Sequence, residues 1–210
     1  MNSPPGDPHA DTRFIRLGPE GPRARLTTVL VHGRDQDDAT TRDLAARLDL
    51  PDVAHVLPVA ADRSWYPGRY FDPLDTLQPH LSSALAAIDR AIASAHVPDE
   101  QLVLAGFSQG ACLVAEYLAR RGPRAFHGAA ILTGSLLGTP SERAVPRIAP
   151  GLRIAVASSR HDDWIPIEDA LDTAGRFRAA GAAVAVAELD DRVHHISDLA
   201  VAQLRALLSS

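Results

Sequence analysis

One serine in the chain stands in a pattern that is typical of enzyme nucleophiles. Residues 106–110 read Gly-Phe-Ser-Gln-Gly, and a Gly-x-Ser-x-Gly segment can hold its serine in a strained turn between a strand and a helix. The apolar run 102–105 precedes the segment, and the apolar run 111–114 follows it as the start of a helix. Ser108 is therefore the candidate nucleophile.

A serine hydroxyl reacts only when a base removes its proton and an acid orients that base. Asp162 and Asp163 follow the apolar run 152–157, and His194 and His195 lie between the last predicted strand and the last predicted helix. The chain order Ser, Asp, His is the order that α/β-hydrolases use. We therefore predict a triad in which one member of each pair joins the serine.

The reaction of such a serine also needs two backbone N–H groups that stabilise the oxyanion. One normally comes from the residue after the nucleophile and the other from the loop after an early strand. Gln109 and Arg34 hold these two positions, since Arg34 follows the run 26–31 and its His-Gly turn. The Arg34 side chain is also placed to meet an anionic group of a substrate.

Strands and helices alternate along the chain, as the spacing of its apolar residues indicates. This alternation predicts a single α/β domain whose mostly parallel sheet carries helices on both faces, with the chemistry where loops leave the C-terminal strand ends. The predicted strands are 26–31, 53–58, 102–105, 129–132, 152–157 and 183–187. The predicted helices follow Asp37 and cover 80–95, 108–121, 168–180 and 197–208.

An aromatic segment, 61–77, interrupts this alternation. Glycines and prolines break it into turns, yet it carries two tyrosines and a tryptophan. We interpret it as a loop that covers a pocket. Trp65, Tyr66 and the later Trp164 are the candidate substrate-binding residues, with plain packing as the alternative role for each.

Five segments together resemble the phospholipase/carboxylesterase family of α/β-hydrolases, which includes bacterial carboxylesterases and acyl-protein thioesterases. They are Val-His-Gly-Arg at 31–34, Ser-Trp-Tyr-Pro at 64–67, Gly-Phe-Ser-Gln-Gly-Ala-Cys-Leu at 106–113, Asp-Asp-Trp-Ile-Pro at 162–166 and His-His-Ile-Ser at 194–197. The resemblance implies a Ser-His-Asp hydrolase with no cofactor and no large lid domain. It favours Asp162 over Asp163 and His194 over His195.

The chain departs from the family pattern at two positions. Asp35 stands where many members have the second glycine of a His-Gly-x-Gly loop, and Val193 stands where a glycine commonly precedes the histidine. Both departures leave the three triad positions intact and concern the shape of the oxyanion loop.

Composition limits the classes of protein to consider. The 210 residues, 46% apolar and 22% charged, are enough for one domain, which we place at 14–210 after a loose tail at 1–13. All 21 basic residues are arginines scattered among acidic ones, which argues against a nucleic-acid partner. No apolar run is long enough for a membrane span or follows the pattern of a secretory signal. The single cysteine, Cys112, suits a cytoplasmic location.

A metal site is an alternative use of the same loops. His161, Asp162, Asp163, His194 and His195 offer imidazole and carboxylate ligands for zinc or manganese. Their spacing has no helical i, i+4 ligand signature, so we predict no metal.

The resulting functional prediction is a carboxylesterase-type serine hydrolase that acts on small esters with short to medium acyl groups. Two alternatives remain open: a thioesterase for acyl-protein or acyl-CoA substrates, and a noncatalytic small-molecule receptor with the same fold. A homodimer is also left open.

Overall fold

The structure is a computed structural model that describes residues 7–19 and 23–209 of the chain. Seven strands form one sheet: β1 (Arg13–Leu17), β2 (Leu26–Val31), β3 (Val53–Val59), β4 (Leu102–Phe107), β5 (Gly128–Leu132), β6 (Arg153–Ser159) and β7 (Ala183–Leu189). Five α-helices pack on it: α1 (Asp38–Leu48), α2 (His80–Ala95), α3 (Gln109–Arg121), α4 (Ile167–Ala179) and α5 (Asp198–Leu208).

The strand order is β1-β3-β2-β4-β5-β6-β7, and every neighbouring pair is parallel except β1 with β3. The predicted α/β-hydrolase architecture in one domain is therefore confirmed. The element boundaries agree with the predicted ones to within about two residues, which is the usual uncertainty at frayed ends.

The sheet has a buried core on each face. In β2 all six residues are buried, with Val29 and Val31 in the cluster under α2, α3 and α4, and Leu26 and Leu30 in the cluster under α1 and α5. A strand covered on both faces needs apolar residues at successive positions. This explains why its sequence is a run of leucines and β-branched residues, in which Thr27 and Thr28 are also buried, instead of an alternation of apolar and charged residues.

Strand β1 was not predicted from the sequence. It is a five-residue edge strand that pairs antiparallel with β3 and leaves Arg16 exposed. A short edge strand that is only half buried carries a weak sequence signal, because few of its positions have to be apolar.

The prediction of a loose tail through Arg13 is wrong for residues 7–13. Arg13 already belongs to β1, and His9 is buried, with only 1% of the residue exposed to solvent. The His9 backbone N–H donates to Ser83 Oγ on α2 at 2.8 Å. The polar composition of this segment concealed its burial, because the buried polar groups are satisfied by partners that are distant in sequence. Residues 1–6 lie outside the described part of the chain.

The aromatic segment 61–77 lies between β3 and α2, and it contains only two short 3₁₀ turns, Ala61–Arg63 and Leu74–Leu77. Among the described residues, no helix is long and apolar enough to cross a membrane.

Candidate active site

Ser108 lies at the junction of β4 and α3, where the parallel strands end. Its backbone is at φ 54° and ψ −121°, a strained conformation for a residue with a side chain. A Cβ at Gly106 would overlap the Gly110 carbonyl, and a Cβ at Gly110 would overlap the backbone carbonyls at the end of β2. The two glycines let the strand, the turn and the helix pack closely enough to hold Ser108 at the sheet edge.

The structure brings Ser108 together with two of the other predicted residues. His194 Nε2 lies 2.7 Å from Ser108 Oγ, and His194 Nδ1 lies 2.8 Å from Asp162 Oδ2. Asp163 and His195, the neighbouring alternatives, are exposed, and His195 Nδ1 bonds the Val193 carbonyl. The geometry therefore agrees with the pair that the family resemblance favoured.

The surroundings of Asp162 keep its carboxyl group ionised. Burial opposes the charged form, but bonds from His194 and from the backbone N–H groups of Ile165 and Trp164 outweigh burial and lower the pKa of Asp162. A carboxylate accepts hydrogen bonds, so the proton of a neutral His194 lies on Nδ1. Its Nε2 then faces Ser108 as an acceptor, the geometry required of a general base.

The two residues predicted to supply oxyanion amides, Gln109 and Arg34, line the same cavity as Ser108. Gln109 is the first residue of α3, where an N–H group has no intrahelical acceptor. Arg34 lies in the turn after β2, in which the Gly33 N–H donates to Gln36 Oε1 at 2.8 Å and the Asp35 N–H donates to the Arg63 carbonyl at 2.8 Å. The Arg34 amide itself has no acceptor among the described residues.

The two departures from the family pattern have different structural meanings. Asp35 adopts φ 58°, the left-handed region that favours glycine, so the backbone keeps the conformation that a second glycine would allow. Val193 has no positive φ and is more than half exposed, so its position does not demand glycine here.

A cavity of about 250 Å³ opens beside Ser108 and His194. Tyr66 and Trp164 line it as predicted, and Trp164, 63% exposed, lies at its rim. Charged, polar and apolar residues complete the lining, namely Arg34, Asp35, Gly68, Arg69, Tyr70, Gln109, Cys112 and Ile165.

Trp65, which was also predicted as a substrate-binding residue, does not line the cavity. Its side chain is fully buried and lies behind the cavity wall, because its indole N–H and its backbone N–H bond two other segments of the site. Tyr70, which was not singled out from the sequence, lines the cavity instead. The only signal for Tyr70 was the concentration of aromatic residues in 61–77.

Side chains of the site also fix the aromatic segment in place. The Arg34 guanidinium donates to the Tyr66 carbonyl at 3.2 Å and to the Gly68 carbonyl, and the Gln109 amide donates to the Tyr66 carbonyl at 2.8 Å. The Tyr70 hydroxyl donates to Asp169 Oδ2 at 2.6 Å. The cavity wall is therefore anchored at both ends.

The residues of the metal alternative do not converge. His161 Nε2 lies 3.3 Å from Asp190 Oδ1, whereas His194 bonds Ser108 and Asp162. Within residues 7–19 and 23–209, no group of three or more His, Cys, Asp or Glu side chains is arranged to hold a metal ion.

No protein-family model and no curated protein sequence matches the chain. Solved structures do match it. A phospholipase/carboxylesterase from Dyadobacter fermentans is 29% identical with a TM-score of 0.86, covering 95% of this chain and 97% of its own. A carboxylesterase from Mesorhizobium loti is 21% identical with a TM-score of 0.74, covering 96% and 97%, and the esterase PE8 is 19% identical with a TM-score of 0.76, covering 94% and 98%.

The last two likenesses show the fold alone. All three identify the chain as an α/β-hydrolase-fold protein. The first, at 29% identity over 95% of this chain, confirms the predicted resemblance to the phospholipase/carboxylesterase family.

Proposed function

We propose that the protein is a serine esterase that cleaves carboxylic esters with short to medium acyl groups through Ser108, His194 and Asp162. The observation that carries the proposal is the continuous chain of hydrogen bonds from Ser108 Oγ through the His194 ring to the buried Asp162 carboxylate, at 2.7 and 2.8 Å. This chain opens onto a cavity, so an ester carbonyl has access to the serine oxygen.

In the first half of the reaction, His194 Nε2 takes the Ser108 hydroxyl proton as Oγ attacks the ester carbonyl carbon. The carbonyl oxygen becomes an anion that accepts hydrogen bonds from the Arg34 and Gln109 amides. The imidazolium of His194, stabilised by Asp162, then returns the proton to the departing alcohol oxygen. The products are the free alcohol and an acyl group bound to Ser108.

In the second half, water takes the place of the alcohol. His194 removes a proton from the water molecule as its oxygen attacks the acyl carbonyl, and the same two amides stabilise the second oxyanion. Collapse breaks the bond to Ser108, which regains its proton from His194. The acid leaves and the enzyme is restored without a cofactor.

The size and lining of the cavity support small acyl groups. Its volume of about 250 Å³ is just below the range of pockets that hold drug-sized ligands. Tyr66, Tyr70, Cys112 and Ile165 give it an apolar wall. Because Arg34 and Gln109 fix the aromatic segment that supplies the tyrosines, we expect this wall to keep its shape when substrate binds.

Cys112 does not compete with Ser108 as a nucleophile. Burial raises the pKa of the Cys112 thiol to about 12, so the reactive thiolate is scarce at neutral pH. Cys112 Sγ accepts a hydrogen bond from the Ser135 backbone N–H at 3.3 Å. Its role in the proposal is to form part of the apolar wall.

Labelling with an alkyl fluorophosphonate, followed by intact-mass measurement, tests the proposed nucleophile. We expect one adduct on the wild type and none on Ser108→Ala, because the probe needs an activated serine. Loss of labelling in His194→Gln and its retention in His195→Gln would assign the base. An unlabelled wild type that still binds small esters would favour the noncatalytic receptor, and faster turnover of thioesters than of matched esters would favour the thioesterase.

A further inference from the structure

Trp65 connects the two backbone segments that carry the proposed oxyanion amides. Its indole N–H donates to the His32 carbonyl at 2.9 Å, two residues before Arg34. Its backbone N–H donates to Gln109 Oε1 at 2.9 Å. The side chain is fully buried, so these bonds are shielded from water and hold fixed distances between the segments.

His32 extends this connection to the turn that contains Arg34. Its Nδ1 donates to the Gly33 carbonyl at 2.7 Å, and its Nε2 accepts from the Ala60 backbone N–H at 3.0 Å. Burial lowers the pKa of His32, which keeps Nε2 free of a proton. The His32 ring also lies 5.0 Å from the Trp65 ring, centroid to centroid.

His9, from the N-terminal segment, supports Trp65 on its other side. The ring centroids are 5.4 Å apart. A carbonyl can only accept and a backbone N–H can only donate, so His9 Nε2 donates to the Trp65 carbonyl at 2.8 Å and His9 Nδ1 accepts from the Ala61 N–H at 3.2 Å. These two bonds span the start of the aromatic segment.

The His9 backbone is itself held by α2. Its N–H donates to Ser83 Oγ at 2.8 Å, and its carbonyl accepts from the Arg90 guanidinium at 2.6 Å. His9 is thus attached to a long helix that packs on one face of the sheet. A continuous series of hydrogen bonds runs from α2 to His9, from His9 to Trp65, and from Trp65 to both Gln109 and His32. None of these three aromatic side chains lines the cavity.

We propose that His9 and Trp65 are positioning residues that hold the Arg34 and Gln109 amides at the spacing needed to bind the oxyanion. The proposal rests on the esterase function proposed above. Oxyanion donors act only when they lie about 2.7–3.1 Å from the charged oxygen. Donors can be held within about 0.5 Å of this position only when the residues that pack against them and bond to their segments fix them in place.

The test compares two disruptive variants with matched controls. Trp65→Phe keeps an aromatic ring and removes the bond to the His32 carbonyl, and His9→Ala removes both bonds to the aromatic segment. His9→Gln is the rescue variant, since its amide can still donate toward the Trp65 carbonyl. Tyr117→Phe and Thr28→Val are the controls, because each loses a side-chain hydrogen bond, to Asp89 and to His55 respectively, away from the cavity.

Three quantities are measured for each variant: kcat and KM with p-nitrophenyl acetate, and the inhibition constant of phenylboronic acid. The boronate forms a tetrahedral adduct with a reactive serine and places a charged oxygen in the oxyanion position. Circular dichroism melts identify the variants that unfold cooperatively. Wild type and Ser108→Ala are measured alongside, so that Ser108-dependent turnover is established first.

We expect kcat to fall by about 10-fold or more in Trp65→Phe and His9→Ala, with KM within about 2-fold, and boronate affinity to fall in parallel with kcat. His9→Gln is expected to recover part of the loss, and the controls to stay near wild type. If His9→Ala does not fold, Trp65→Phe decides the question.

Two results would overturn the proposal: folded variants with unchanged kcat and boronate affinity, or equal losses in the controls. A wild type without Ser108-dependent turnover would instead defeat the proposed esterase function.

Discussion

The carboxylate of Asp162 lies 2.8 Å from the ring of His194, and the Asp162 side chain has no exposed surface. A buried charge of this kind persists only when its hydrogen bonds are complete. Here the ring and two backbone N–H groups complete them. The pair therefore fixes both the orientation of the imidazole and the nitrogen that carries its proton.

Replacing the carboxylate with an amide is expected to disrupt this arrangement without changing its shape. The amide N–H₂ of Asp162→Asn can donate to His194 Nδ1 and so place the ring proton on Nε2, where it blocks proton removal from Ser108. We expect kcat for ester hydrolysis to fall by about 10³- to 10⁴-fold. Steady-state kinetics check this, with Asp163→Asn as the matched control, since Asp163 is exposed and outside the cavity. Comparable losses in the two variants would contradict the assignment of the acid.

Buried histidines make the stability of the protein depend on pH. Burial lowers the pKa of His55 to about 4, and burial also lowers the pKa of His9 and of His32, from a value of 6.5. A lowered pKa means that the unfolded chain takes up protons first, so the stabilisation is complete above about pH 6.5 and is lost as the pH falls toward about 4.

Urea denaturation at several values between about pH 7 and about pH 5 measures this dependence. Each histidine contributes at most about 1.4 kcal/mol per pH unit to the slope of the free energy of unfolding against pH. His55→Gln is expected to remove the contribution of one histidine from that slope. A free energy of unfolding that stays constant over this range would contradict the prediction.

Tyr70 is expected to limit the length of the acyl group. It is buried at the cavity wall, and its hydroxyl is held by Asp169, which also bonds the buried Arg143. Tyr70→Ala removes the ring and extends the cavity. We expect the preferred acyl length in a p-nitrophenyl ester series to increase, with kcat/KM for the longer esters rising relative to that for the acetate. Phe71→Ala is the control, because Phe71 is exposed and does not line the cavity. An unchanged length profile in Tyr70→Ala would refute this role.

Gly110, two residues after the nucleophile, is expected to tolerate no larger residue, because a side chain there would overlap the neighbouring backbone. A Cβ at Gly110 would overlap the carbonyls of Val31 and His32, which are backbone atoms with little freedom to move. We expect Gly110→Ala to lower the free energy of unfolding by about 2 kcal/mol or more.

Gly175→Ala supplies the comparison for that substitution. Gly175 lies within α4, and apart from the neighbouring backbone of that helix nothing lies within 4 Å of the added methyl group. That substitution is expected to raise the stability by about 0.5–1 kcal/mol. Denaturant unfolding of both variants checks the contrast, and a stable Gly110→Ala protein would contradict the packing explanation.

Local sequence patterns predicted the strand-turn-helix around Ser108 because its glycines are required by the backbone within that same segment. They also predicted the loops that carry Asp162 and His194, since each follows a strong apolar strand. Choosing Asp162 and His194 over their neighbours needed the family resemblance, because adjacent loop residues differ in direction but not in local pattern.

The burial of His9, the edge strand β1 and the roles of Trp65 and Tyr70 were not predictable in this way. Each depends on partners that are far away in the chain: His9 is separated from Trp65 by 56 positions, and Tyr70 from Asp169 by 99. Their residue types are compatible with several environments. Only the packed fold distinguishes a buried indole behind the cavity from one that contacts substrate.

The most direct test of the proposed esterase is the hydrolysis of p-nitrophenyl esters of increasing acyl length by wild type and by Ser108→Ala, with a metal chelator present. We predict turnover by the wild type that resists the chelator, favours short to medium acyl groups and is lost in Ser108→Ala. Turnover retained by a clean preparation of Ser108→Ala, or its absence from the wild type with every ester, would contradict the proposal.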